Sequence, residues 1–427
     1  MKYMIFDIAG VGAGPFNLSV AALLHPMKNV RHRFFERQKS YAWHPGMLLP
    51  NTTIQNSFLK DLVSFVDPTS PFSFLSFLHA KKRLYEYVNA GFPRTSRLEF
   101  NQYLQWAASQ LPSIQLGKDV QTINKHDAGF QIITNDGSCI ARNIIVGTGP
   151  SPAIPPMAEN LVGDHIFHSS RYLFNRDNLS HKRVAVIGGG QSGAEIVLDM
   201  INRGVPPSKV HWISARHGIL PLDESHFANE WFTPAYIEYF HGLTSSKKSE
   251  LLEQHRLSSD GISPETIEAL YQTIYRLRFL ENGPSCKIMH SRVVDSIRPF
   301  QGDFVLDITH MDTEEAETVT VDCIVLATGY KQTPLPAVLE RISGDIEFSE
   351  GAPTVNLDFS LRYNGPGKVF VINAARTSHG VAEPNLSVNA WRASMIINSA
   401  LGHEHYASPQ SDSILDLSRD VNLKEAA

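Results

Sequence analysis

Twice in this chain an apolar run ends in a cluster of glycines that leads straight into a helix-forming segment. Few folds accept that pattern. A buried strand, a turn without side chains and a helix N-terminus together open a βαβ unit that can hold a phosphate. The first copy runs from Met4 to Ala9, through Gly10-Val11-Gly12-Ala13-Gly14-Pro15, into the stretch Asn17 to Leu24. Gly10 is expected to permit the tight turn, and Gly12 the approach of backbone N–H groups to a pyrophosphate. Pro15 stands where GxGxxG has its third glycine, and proline is welcome in a first helical turn. The next strand, Arg31 to Phe35, ends in Glu36, 24 residues after Gly12. An acid there accepts hydrogen bonds from adenosine ribose hydroxyls. A plain glycine turn is the alternative.

The second copy begins with Arg183 to Ile187. Gly188-Gly189-Gly190-Gln191-Ser192-Gly193 matches GxGxxG, and a helix follows from Ala194 to Asn202. Its second strand, Val210 to Ser214, leads to Arg216 rather than to an acid. A basic tip can pair with the extra phosphate of NADP; otherwise Arg216 is a solvated surface arginine. Two dinucleotide sites argue for electron transfer from a nicotinamide to a second cofactor, with FAD at the N-terminal site and NADPH at the internal one. The small-residue turns Val146-Gly147-Thr148-Gly149-Pro150 and Leu326-Ala327-Thr328-Gly329-Tyr330 follow apolar strands, as a chain passing a bound dinucleotide requires.

The remaining pattern is that of an α/β protein with two doubly wound parallel sheets. Leu98 to Gln110 reads as an amphipathic helix, and Trp43 to Phe65 as irregular turns. Strands are expected at Phe130 to Thr134 and Cys139 to Val146, joined at Asn135-Asp136-Gly137, and again at Phe304 to Thr309 and Thr318 to Leu326. Four prolines between Pro150 and Pro156 mark a boundary. The region from about Leu220 to Leu280 is helix-rich and aromatic, and the tail beyond Leu401 is polar.

Composition narrows the function. With 427 residues, 42% hydrophobic and 19% charged, the chain suits two or three globular domains. A net charge of -5 and the lack of a basic run give no reason to expect nucleic acid or a membrane surface. No run of about 18 apolar residues exists. Asp7 interrupts the first apolar stretch, so it reads as a strand rather than a signal peptide, and the protein is expected in the cytoplasm. Cys139, Cys286 and Cys323 are far apart. They offer no CxxC for zinc and no redox pair for a disulfide reductase, so no metal site is expected.

The residues resemble the flavin-dependent N-hydroxylating monooxygenases of siderophore biosynthesis, over nearly the whole chain. The likeness rests on GVGAGPFNLS from Gly10, WHPGM from Trp43, FLKDLVSFVDPTSPFSFLSFL from Phe58, GGGQSGAE from Gly188, SSDGI from Ser258, ATGY from Ala327 and HGVAEPNLSVNAWR from His379. These forms look most like the L-lysine N6-hydroxylases, and SDGI also resembles diamine N-hydroxylases. The resemblance implies an FAD domain in residues 1–165 and 326–427, an inserted NADPH domain in 166–325, and a helical substrate region at about 220–290. It implies that NADPH reduces FAD, that O2 adds to the flavin, and that a neutral terminal amine attacks the distal oxygen. It also implies a homo-oligomer, a tetramer. L-Lysine, cadaverine and putrescine stay open as substrates; L-ornithine, or a sulfur- or ketone-oxidising flavin enzyme, is the alternative.

The resemblance also assigns roles. Gln55 and Lys60 keep the family's spacing of five between a flavin-site glutamine and a lysine that meets the substrate carboxylate. Lys60 lies in an apolar stretch, where an ammonium needs a partner; a salt bridge to Asp61 or another acid is the alternative. Trp43 and His44 are expected to line the flavin. Asn229 matches a substrate-contacting asparagine of ornithine enzymes, whereas Asp260 in SSDGI argues against ornithine. Ser387 is a contact at the flavin or substrate. His379 and Glu383 are given no acid–base role.

Overall fold

The computed structural model describes residues 5–281, 283–333, 335–407 and 413–417. Met4, the expected start of the first strand, and tail residues 408–412 and 418–427 lie outside them.

The first sheet is mixed. Strands β1 (Ile5–Val11), β2 (His32–Glu36) and β3 (Ile114–Leu116) run parallel in the order β3-β2-β1. Strands β4 (Val120–His126), β5 (Gly129–Thr134) and β6 (Gly137–Val146) form an antiparallel meander that brings β6 back parallel to β1. Short loops explain the departure from an all-parallel sheet, because only antiparallel neighbours can be joined by two-residue turns. The β5–β6 hairpin closes with Thr134 opposite Gly137, on the expected Asn135-Asp136 turn. The last residues of β6 pair on their other edge with Val369–Val371, from the far end of the chain.

The second sheet is wholly parallel. Its strands β7 (Ile166–His168), β8 (Arg183–Ile187), β9 (Lys209–Ile213), β10 (Ser285–Met289) and β11 (Cys323–Leu326) lie in the order β10-β9-β8-β11-β7. Both faces are covered, which is why these strands read as unbroken apolar runs. Side chains alternate faces along a strand. Val184, Val186, Val210, Trp212 and Val325 enter one core, and Ala185, Ile213, Ile324 and Leu326 the other.

The expected strand Thr318 to Leu326 is two strands. Ala316–Val321 belongs to an antiparallel three-stranded sheet with Arg292–Phe300 and Asp303–His310, whereas β11 lies between β8 and β7 in the parallel sheet. Asp322 marks the break: its carboxylate accepts from the Arg183 backbone N–H and guanidinium, both at 2.7 Å.

The chain crosses between the sheets twice, and the crossings lie side by side. Ser151–Pro152 pairs antiparallel with Tyr330–Lys331. A second tie joins the helix Arg97–Gln110 to the helix Gln191–Asn202: Arg97 meets Glu195 with two hydrogen bonds, at 2.7 and 3.0 Å. The region from 234 to 279 is helical, as expected. No described helix is long and apolar enough to cross a membrane. Cys139, Cys286 and Cys323 are free, and burial pushes their thiols up to about 11, 12 and 11.

Candidate active site

The two glycine loops are built alike, in a register that sequence matching misses. The positive-φ glycine that leaves each strand is Gly12 in the first loop (φ 84°) and Gly188 in the second (φ 128°). A Cβ on Gly12 would lie 2.4 Å from the Gly147 carbonyl oxygen; one on Gly188 would lie 2.1 Å from that of Ala327. Gly14 and Gly190 then cap the two helices, with Pro15 in the first turn of the first. Gly10 is therefore not at the tight turn. It lies inside β1, where a Cβ would strike the Phe34 ring.

The third position of the first loop is Asn17, not Pro15. Asn17 is buried, and its Nδ2 donates to the carbonyls of Gly12 at 2.7 Å and Val11 at 3.1 Å. Gly193 occupies that position in the second loop, where Trp212 Nε1 donates to the Gly188 carbonyl at 2.9 Å.

A cavity of about 890 Å³ opens on the first loop. Its wall includes Gly12, Gly14, Pro15, Glu36, Trp43, His44, Gly149 and Tyr330. The Glu36 carboxylate accepts from the N–H groups of Ala13 and Gln38, each at 2.9 Å. A carboxylate has further lone pairs to offer a diol. The Tyr41 hydroxyl, also in the wall, is buried with no hydrogen-bond partner among the described residues. Thr328 and Gly329 instead secure the crossing. Thr328 Oγ1 donates to the Ala153 carbonyl at 2.5 Å, and the Gly329 carbonyl accepts from Ala153 N at 3.0 Å.

Around the second loop, Arg216 Cδ stands 3.6 Å from where a Gly189 Cβ would be. Its Nη1 donates to the Asp260 carbonyl at 2.7 Å, and burial pulls its pKa below the usual arginine value. Gln191 points away from the loop: it exchanges hydrogen bonds with Ser263 and donates to Glu195 and Thr266. Ser192 is half-buried in the first helical turn.

Five residues were expected to serve the reaction, at the flavin or at the amine, and two of them meet. Lys60 Nζ donates to Ser387 Oγ at 3.3 Å, beside Pro384 and Leu386 of the cavity wall. Asp61 is not the partner of Lys60. It caps the local backbone, accepting from Val63 N, Ser64 N and Phe74 N at 2.7–2.9 Å. Lys60 is in no ion pair among the described residues; burial lowers its pKa, with Glu230 opposing the shift. Gln55 is exposed and outside the cavity wall; its carbonyl accepts from Arg94. Asn229 is exposed too, its side chain turned to the Glu224 carbonyl. Asp260 Oδ1 stands 4.0 Å from Arg376 Nη1, whose side chain reaches the cavity wall.

Residues 4–332 match the family model described as L-lysine 6-monooxygenase/L-ornithine 5-monooxygenase. The chain belongs to this family. It is a flavin-dependent N-hydroxylating monooxygenase, an enzyme of FAD and NADPH. An L-lysine N6-monooxygenase from Escherichia coli is 37% identical over 93% of this chain and 95% of its own. The FAD-bound cadaverine monooxygenase of desferrioxamine biosynthesis from Erwinia amylovora superposes with a TM-score of 0.89 at 30% identity, covering 96% of this chain and 98% of its own. An ornithine N-hydroxylase from a Kutzneria species, with reduced FAD, NADP+ and L-ornithine, gives 0.87 at 31%, covering 93% and 99%.

Three residues of this monooxygenase escaped sequence reasoning. Asn17 is hidden by the strict glycine pattern. Glu230, the neighbour of Asn229, is the acid that faces Lys60 electrostatically. Asn56 accepts a hydrogen bond from Ser387 Oγ at 2.9 Å, across 331 residues of sequence. Only Glu230 had a local signal, an acid beside the flagged asparagine.

Proposed function

We propose that this monooxygenase N-hydroxylates the terminal amine of L-lysine, for hydroxamate siderophore biosynthesis. The observation that carries the reading is Lys60: a half-buried ammonium beside the cavity wall, with a hydroxyl for a partner and no carboxylate in contact among the described residues. A cation withdrawn from water calls for an anion. The α-carboxylate of an amino acid supplies one, and binding it there fixes where the far amine lies.

In this reading the first loop, Glu36, Trp43, His44 and Tyr330 hold FAD; the bare loop at Gly14 and the unpartnered Tyr41 hydroxyl fit such a guest. The second loop holds NADPH, with Arg216 available to its extra phosphate. Bound flavin, reduced by NADPH, supplies the oxygen chemistry. The protein's part is to orient the amine and exclude water. We assign FAD to residues 1–165 and 326–427 and NADPH to 166–325. A cytoplasmic homotetramer completes the reading; the family resemblance supports it, and sedimentation tests the assembly.

Glu230 favours a second reading, in which a diamine such as cadaverine or putrescine gives its second ammonium to that acid. The experiment is hydroxylamine formation from L-lysine, cadaverine, putrescine and L-ornithine, with NADPH use followed in parallel. Tightly coupled product from L-lysine alone supports the first reading, coupled product from a diamine the second. NADPH consumption giving only hydrogen peroxide with all four defeats both.

A further inference from the structure

Hydrogen-bond donors and acceptors around Lys60 can be assigned one by one. The Ser387 backbone N–H, which can only donate, gives its proton to Asn385 Oδ1 at 2.8 Å. Asn385 is therefore oriented with its oxygen toward Ser387 and Asn56. That same oxygen accepts from Asn56 Nδ2 at 2.9 Å. Asn56 Oδ1 then faces Ser387 Oγ at 2.9 Å and accepts its hydroxyl proton. The lone pairs of Ser387 Oγ are left for Lys60 Nζ at 3.3 Å, and an ammonium can only donate. Turning the Asn56 amide over would set two acceptors against each other at Asn385, whose oxygen is fixed by the Ser387 N–H. The polarity of the whole ring thus has one solution, anchored by a backbone N–H.

The ring stands directly behind the cavity wall. Pro384 and Leu386 line the cavity, and Asn385 and Ser387 alternate with them. Arg392 Nη2 holds the Asn385 carbonyl at 3.4 Å, while its Nη1 meets the buried Glu383 at 3.2 Å. Lys60 arrives from the opposite end of the sequence, and one of its three N–H groups is fixed by Ser387. The other two have no partner among the described residues and can meet one carboxylate.

We infer that Asn56 is a positioning residue that orients the Lys60 ammonium for an α-carboxylate, and so makes this site select an amino acid over a diamine. The inference rests on the L-lysine reading above. Asn56 is not part of the cavity wall; it acts through Ser387. Its loss leaves the Ser387 proton free to turn toward Lys60, where it opposes the ammonium.

The test is Asn56→Ala in the FAD-loaded enzyme, with L-lysine and cadaverine as paired substrates and calorimetric binding of L-lysine as a readout independent of turnover. The expected result is a KM and Kd for L-lysine raised about tenfold. The kcat at saturation and the KM for cadaverine should stay within about twofold, because uniform binding is what is lost. Equal changes for both substrates, or none, overturn the role of Asn56 while leaving the L-lysine reading in place. A wild-type enzyme that prefers cadaverine overturns both. Should Asn56→Ala fail to hold flavin, Asn56→Leu decides. It keeps nearly the same size but offers Ser387 Oγ no acceptor, and the same selective rise is expected.

Discussion

Asn17 donates its side-chain amide to the carbonyl of Gly12 at 2.7 Å, and this bond closes the first dinucleotide loop where the second loop has a glycine. The two loops solve one problem differently. Each must present N–H groups to a phosphate while the carbonyl of its positive-φ glycine points inward and needs a donor. In the second loop Gly193 leaves room for Trp212 to reach Gly188 from the neighbouring strand. In the first loop the donor comes from the helix itself.

Asn17→Gly, which completes a GxGxxG pattern on paper, should therefore weaken the protein. The Gly12 carbonyl loses its side-chain donor, whereas that of Val11 keeps the Gly147 N–H at 2.9 Å. A loss of about 1–3 kcal/mol is expected for the one acceptor left unsatisfied. Urea unfolding measures it, and FAD should elute from the variant on gel filtration. An unchanged midpoint would show that the helix tolerates the exchange.

Gly188→Ala separates the two cofactors. Its Cβ would sit 2.1 Å from the Ala327 carbonyl oxygen, on backbone at φ 128°. The first loop belongs to another sheet, so the variant should keep its flavin absorbance. Rapid mixing with NADPH under anaerobic conditions should show flavin reduction slowed by at least tenfold. Loss of flavin from Gly188→Ala would argue against the assignment of NADPH to this loop.

The Lys60 ammonium sets a pH limit. Burial lowers its pKa, so it loses its proton at a lower pH than a lysine in water. Carboxylate binding should be present below that folded pKa and fade as pH rises through it. The KM for L-lysine should climb with pH, while cadaverine, which has no carboxylate, should show no such climb. In Lys60→Ala the KM for L-lysine should rise on the order of a hundredfold at neutral pH, as a charged hydrogen bond is lost. An unchanged KM would remove Lys60 from the site.

His379 should make the protein acid-sensitive. It is fully buried, its ring stacked 4.3 Å from Phe359, and burial lowers its pKa to about 3 with His241 adding to the effect. An unfolded histidine titrates near 6.5. The unfolded chain therefore binds the extra proton, so this contribution is complete above about pH 6.5 and declines as pH falls toward 3. Urea midpoints at pH 7.5 and 5 should differ less in His379→Gln than in wild type. Equal differences would place the acid sensitivity elsewhere.

Local pattern decided a good deal here. Apolar runs such as Arg183 to Ile187 read as strands covered on both faces, and glycines followed by helix formers read as loops of a nucleotide-binding unit. Those signals act over a few residues, through backbone sterics and side-chain periodicity, so they survive in a linear text. The family motifs likewise announced the flavin chemistry. What the text could not carry was anything settled by residues far apart. The split at Asp322 depends on Arg183, and the register of the first loop on Gly147. The partner of Lys60 turned out to be Ser387 rather than the adjacent Asp61, because Asp61 is held by its own backbone turn. Asn56 acquires a role only because folding brings Asn385 and Ser387 to it, and hydrogen bonds reach no farther than about 3.5 Å. Short-range forces make such pairings specific, and only the folded chain places the partners within their reach.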